Sequence, residues 1–170
     1  MGTTNFKGSV VNLGDVEINV GDAAPEVTLV DTSLDDVNVG GINEKVQLLI
    51  SVPSLDTGTC AKETKEFNEL LTTLDIVETY VISMDLPFAS DRFCMTEGID
   101  NLTVLSDYTD KSFSTSYGTL MLDNKLKGLS ARVIFIVNKD GIVTYKQVVN
   151  EVTDEPNYDE VLEALKDTTI

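Results

Sequence analysis

The chain has 170 residues, a formal net charge of −17 and an apolar fraction of 42%. That length suits one domain, 1–170, able to bury a core without disulfide staples, and the apolar fraction excludes a disordered chain. The charge weighs against nucleic acid or an anionic membrane as partner, and the absence of histidine removes Cys-His and Ser-His-Asp catalysis, c-type haem and most zinc sites. No apolar run approaches the roughly 18 residues of a membrane span. Met1 to Lys7 lacks a charged-then-apolar signal pattern, and Phe6 breaks the myristoylation pattern that Met1-Gly2 would open. The expected compartment is therefore the cytosol.

In chain order, residues 5–20 alternate apolar and polar side chains around turns at Gly8 and Gly14-Asp15. Phe6, Val10, Val16 and Ile18 fit a small hairpin. Residues 26–30 read as a strand, and 31–42 as turns with a short extended piece at 37–39. Residues 46–52 are a nearly unbroken apolar run, the pattern of a strand covered on both faces, and Pro53 ends it. From Cys60 the spacing changes. Cys60, Thr64, Phe67, Leu71 and Leu74 alternate between steps of four and three, which predicts one helix face, with Thr57 and Thr59 as candidate caps.

Residues 76–83 predict a strand, and Pro87 then opens a short helix over 88–93 that leads to Cys94. A strand at 101–105, a helical turn at 113–117 and an irregular stretch at 121–129 follow. Residues 132–137 are a second buried strand. Asn138-Lys139-Asp140-Gly141 turns it into a partner at 142–149, and Tyr158, Val161, Leu162 and Leu165 mark a closing amphipathic helix over 158–166. Strands alternating with helices and closing on a hairpin predict an α/β domain with a mixed central β-sheet flanked by helices.

The chemistry points to Cys60. A cysteine at a helix N-terminus meets unpaired backbone N–H groups and the positive end of the helix dipole, and both favour the nucleophilic thiolate. With no imidazole in the chain, activation falls to the helix and to an arginine. Of the twelve basic residues only Arg92 and Arg132 are arginine. Arg132 opens an apolar strand, where its guanidinium must reach water or an anion. That anion can be the Cys60 thiolate, or one of the 29 acidic side chains at a strand end. Thr57 can donate to the sulfur or merely cap the helix. Pro53 can shield the thiolate from water or merely end the strand. Cys60 itself can be no more than a small buried hydrophobe. Arg92 stands near Cys94 and can pair with acids of its own helix or hold that segment in place.

These residues resemble the peroxiredoxin active site. Pro53, Thr57 and Cys60 match its P-x-x-x-(T/S)-x-x-C motif. Ser51 to Cys60, Ser83 to Ala89 with Arg92-Phe93-Cys94, Leu105-Ser106-Asp107, Ala131 to Phe135 and Glu151 to Pro156 are similar to the bacterial thiol peroxidase subfamily. The resemblance spans nearly the whole chain. It implies a thioredoxin-like fold with an N-terminal β-hairpin, usually in a homodimer. It implies a peroxidatic role for Cys60 and a resolving role for Cys94 in the same chain, with Thr57 and Arg132 orienting the peroxide. It implies thioredoxin as reductant, no cofactor or metal, and a leaning towards alkyl over small inorganic hydroperoxides.

An intramolecular disulfide needs the two Cα atoms within roughly 7 Å. The first turn after Cys60 and the segment around Cys94 are therefore expected to unwind during turnover. Two other readings compete: a structural Cys60–Cys94 disulfide in an exported acidic domain, and a peroxide sensor that passes oxidation to a partner. Thiol–disulfide oxidoreductase activity lacks its C-x-x-C.

Overall fold

A computed structural model describes residues 2–72, 74 and 76–169. Thr3–Phe6 (β1) and Ser9–Asn12 (β2) form a two-stranded antiparallel hairpin. Val27–Val30 (β3), Asp36–Val39 (β4), Val46–Ser51 (β5), Val77–Ser83 (β6), Thr103–Ser106 (β7), Val133–Val137 (β8) and Val143–Val148 (β9) form one seven-stranded sheet in the order β4-β3-β7-β6-β5-β8-β9. β5, β6 and β7 run parallel. β3 pairs antiparallel with β4 and β7, and β8 antiparallel with β5 and β9. The helices are Gly58–Leu70 (α1), Pro87–Glu97 (α2), Ser112–Ser116 (α3) and Tyr158–Thr169 (α4). Among the described residues no helix is long and apolar enough to cross a membrane.

Every residue of β5 is buried, as a strand with a layer on each face requires. Its alternation sorts the core. Leu48 and Ile50 face a cluster with Cys60 and Phe67 of α1, its C-cap Leu71, and Val161 and Leu165 of α4, against which Phe93 and Cys94 of α2 also pack. Leu49 faces the opposite cluster, with Phe113, Tyr117, Met121 and Phe135. Ring contacts knit the second cluster: Phe113 stacks on Tyr117 at 4.3 Å, and Tyr117 meets Phe135 edge-on at 5.2 Å.

Three of the boundaries that differ from the sequence expectation do so for a physical reason. The hairpin is confined to residues 3–12, with its turn at Lys7 and Gly8, both at positive φ. Residues 14–20 add no strand, and only Leu13 makes an isolated bridge, to Met121. Alternation there reflects docking on the core, since Ile18 packs against it while Val16 stays exposed.

α1 ends at Leu70 rather than reaching Leu74. Turn hydrogen bonds from Thr72 N to Glu69 O and from Leu74 N to Leu71 O deliver Leu74 to the core without helix. Position 73 of that predicted helix lies outside the described residues, as does Met1 of the N-terminal reading.

α2 runs past Cys94 to Glu97. Its stop is Gly98 at φ 66°, whose N–H donates to the Cys94 carbonyl. Glycine adopts that left-handed geometry without a Cβ penalty, so the cap lies five residues beyond the apolar boundary at Phe93 that the sequence suggested.

Candidate active site

β5, β6 and β7 end side by side, and the loops that leave them meet at one edge of the sheet, where ligands of α/β proteins commonly bind. After β5, Val52 donates its N–H to Ile82 O, and buried Pro53 turns the chain into the loop before α1. Thr57 is the N-cap of α1 in extended conformation, and its Oγ1 accepts from Cys60 N at 3.3 Å. Cys60 is therefore in the first helical turn, with no exposed surface. The Thr57 hydroxyl donates to Ser54 O at 3.1 Å, so its proton is directed into the loop and not to the sulfur. The capping role is present; a donor role towards Cys60 needs the hydroxyl to turn.

Arg132 lies one residue before β8 and is 2% exposed. Its guanidinium is held as a fork. Nε and Nη2 donate to Val152 O at 2.9 and 2.8 Å, Nη2 also donates to Cys60 Sγ at 3.2 Å, and Nη1 donates to Glu63 Oε2 at 2.5 Å. Both of the partners foreseen for this arginine, thiol and carboxylate, are thus engaged at once. Burial pulls the Arg132 pKa down, but Glu63 and Cys60 more than offset that, and the group stands above the ordinary guanidinium value.

Glu63 is the residue that sequence reasoning missed. It is wholly buried, and its Oε1 has no hydrogen-bond partner. Burial pushes its carboxyl up from the usual range against the opposing pull of Arg132. The signal was present in the spacing, because Glu63 falls three residues after Cys60 on the same helical stripe as Phe67. A charged residue on an apolar stripe announces a buried partner.

The segment after β9 closes the site. Thr59 Oγ1 donates to Thr153 O at 3.0 Å, and Lys62 pairs with Glu155 at 3.0 Å; with the Arg132–Val152 bonds they bind residues 152–155 to the start of α1. On the other side Lys65 of α1 pairs with Glu97 of α2 at 3.1 Å.

Cys94 lies in the last turn of α2, half-buried against the cluster that contains Cys60, and both thiols are free. Burial, followed by the nearby Asp91 carboxylate, pushes the Cys94 thiol pKa up. Arg92 is exposed and lines a cleft of about 340 Å³ with Ser54, Leu55, Asp85 and Phe93. Among the described residues it forms no ion pair with the acids of its own helix. No group of residues able to hold a metal ion occurs among the described residues.

The sheet, and a thiol in the first turn of the helix that follows β5, define a thiol redox protein of thioredoxin-like fold. A family model described as Redoxin matches residues 19–162. A thiol peroxidase of Aquifex aeolicus is 47% identical over 165 residues, covering 97% of both chains, and one of Campylobacter jejuni is 46% identical over 157 residues, covering 92% of this chain and 89% of its own. The crystal structure of a peroxiredoxin-like protein from Aquifex aeolicus superposes with a TM-score of 0.96 at 47% identity, over 98% of this chain and 96% of that one. The chain belongs to the redoxin family, among the peroxiredoxins of the thiol peroxidase type.

Proposed function

We propose that this peroxiredoxin reduces hydrogen peroxide and organic hydroperoxides with Cys60 as the attacking thiol, Cys94 as the resolving one and thioredoxin as the reductant, as a cytosolic, antioxidant, single-domain enzyme that works as a homodimer without cofactor. The observation that carries the reading is Arg132 Nη2 at 3.2 Å from the Sγ of Cys60, which lies in the first turn of α1, with both residues buried. A fixed cation beside the sulfur offers a counter-charge to the anion that forms during attack, where no histidine exists.

The Cys60 thiolate attacks the terminal oxygen of the hydroperoxide. The O–O bond breaks, the departing oxygen takes a proton as alcohol or water, and sulfur is left as sulfenic acid. Negative charge builds on the departing oxygen, within reach of the Arg132 fork and the first-turn N–H groups, once Thr57 turns its hydroxyl outward. Pro53 keeps bulk water off the sulfur. The Cys94 thiolate then attacks the sulfenic sulfur, water leaves, and a disulfide forms. Thioredoxin supplies the two electrons that return both thiols by exchange.

Cys60 lies in the first turn of α1 and Cys94 in the last turn of α2, so those two turns open for this second step. Lys62–Glu155 and Lys65–Glu97 oppose the opening, each as a partly exposed pair of modest strength.

The test is stopped-flow mixing with hydrogen peroxide and with a bulky organic hydroperoxide. Wild type is expected to consume both in the presence of thioredoxin and its reductase, and Cys60→Ser neither. Cys94→Ser is expected to form sulfenic acid once and then stall. Lack of turnover by wild type with either peroxide would sink the reading. Single-round oxidation of wild type without steady-state turnover favours a sensor. A Cys94→Ser protein that loses stability but keeps full turnover favours a structural disulfide.

The position of Cys94 sets a pH dependence. Its thiol is protonated near neutrality because burial and Asp91 raise its pKa, and only the thiolate resolves the sulfenic acid. The logarithm of the disulfide-forming rate is expected to rise with a slope near +1 from about pH 6 to 8, still below the free-thiol pKa of about 8.5. Rapid quenching and mass analysis across that range provide the check, and a flat profile would show that deprotonation of Cys94 is not what limits the step.

A further inference from the structure

Asp85 has no part in the mechanism above, yet its carboxylate accepts from two residues of the loop before Cys60. It lies two residues after the end of β6. One carboxylate oxygen accepts the Ser54 hydroxyl at 2.7 Å; the other accepts Leu55 N–H at 2.7 Å and the Ser83 hydroxyl at 2.8 Å. Its own N–H reaches Ser83 Oγ at 3.2 Å, and its carbonyl accepts the Ser106 hydroxyl at 2.5 Å. The ends of β6 and β7 and the loop after β5 therefore meet on one side chain and its peptide groups.

From there a line of bonds runs to the sulfur-bearing residue. Asp85 holds Ser54. Ser54 O accepts both the hydroxyl of Thr57, at 3.1 Å, and its N–H, at 3.2 Å. Thr57 Oγ1 accepts Cys60 N–H at 3.3 Å. Leu55, pinned at its N–H, puts its side chain into the same core cluster as Cys60. On the other side Asp85 is the last residue before Leu86, the N-cap of α2, which has no side-chain cap of its own. The same carboxylate thus braces the loop before Cys60 and stands at the root of the helix that carries Cys94.

We propose that Asp85 is a positioning residue that acts on both cysteine steps in opposite directions: it holds the Ser54–Thr57 loop in the geometry that peroxide attack needs, and by the same bonds it slows the unwinding that disulfide formation needs. Charge-assisted bonds to a half-buried carboxylate are the strong kind. Without them the loop and the first turn of α1 sample more conformations. Attack tolerates little misplacement, while resolution gains from an easier opening. The proposal rests on the peroxidase reading.

The two steps are measured apart. Sulfenic acid formation is timed by trapping and mass spectrometry in a Cys94→Ser background, and disulfide formation is timed after a stoichiometric pulse of hydroperoxide with both cysteines present. Asp85→Ala is expected to slow the first step by about ten- to a hundredfold and to speed the second several-fold. Asp85→Asn keeps an acceptor and is expected to recover most of both changes. Should Asp85→Ala not fold, Ser54→Ala removes one of the bonds to Asp85, together with the Asp56 N–H bond to Ser54 Oγ, and is expected to show the same opposed split at smaller size. Unchanged rates, or rates that fall together with a lowered Tm, would overturn the proposal and leave Asp85 a structural brace. Wild type that forms no sulfenic acid would instead overturn the peroxidase reading, and this proposal with it.

Discussion

Arg132→Lys is expected to lower the second-order rate constant for Cys60 oxidation by about 10²–10³-fold, the loss typical when one preorganised donor to a developing oxyanion is removed. The guanidinium serves three partners from one rigid plane: Val152 O, Cys60 Sγ and Glu63 Oε2. An ammonium keeps the charge but presents it at one point on a flexible stem, so it cannot span the three at once. Loss of the fork displaces the cation from the sulfur and, in the mechanism proposed above, takes away the donor facing the breaking O–O bond. The measurement is stopped-flow peroxide reduction, with alkylation of Cys60 by iodoacetamide as comparison. Alkylation builds no charge on an oxygen, and it is expected to fall much less. Equal losses in both reactions would mean that Arg132 only maintains the thiolate. A peroxide rate within about threefold of wild type would remove it from the mechanism.

Glu63→Ala carries the largest expected effect on stability, a loss of about 3–5 kcal/mol, because it strands a buried guanidinium without its carboxylate. For a chain of this length that corresponds to roughly 6–20 °C in Tm. Glu63→Gln keeps an oxygen acceptor for Arg132 Nη1 and is expected to cost far less. A chemical denaturation series on the three proteins makes the comparison, and an alanine variant as stable as wild type would contradict the picture of a dependent ion pair. The free Glu63 Oε1 adds a second expectation: glutamine places an amide where no partner exists, so the Gln variant does not exceed wild type in stability.

Much of this was legible before the fold was known. The change from an unbroken apolar run at 46–52 to helical spacing after Cys60 locates the strand and helix that present the thiol, because side-chain burial has a different period in each. The absence of histidine leaves two arginines to examine, and one of them opens a buried strand. Glu63 is legible too: it is a carboxylate on the apolar stripe of α1, at a spacing where burial demands a cationic partner. The end of α2 is less legible. Apolar spacing stops near Phe93, while the terminator is a glycine, Gly98, whose positive φ closes the helix on the Cys94 carbonyl.

What the order of residues determines by itself is therefore local: the elements, the capped first turn that carries Cys60, and the scarcity of groups able to activate it. The tertiary structure alone decides which distant groups share that turn. Arg132 reaches Cys60 only because β8 lies beside β5, Val152 O meets the guanidinium because the chain after β9 folds back over α1, and Asp85 joins the loop because β5 and β6 are parallel neighbours whose ends coincide. Hydrogen bonds and ion pairs of this kind depend on distances of about 3 Å between residues far apart in the chain. Spacing within an element carries no information about such distances; the pairing of the strands sets them.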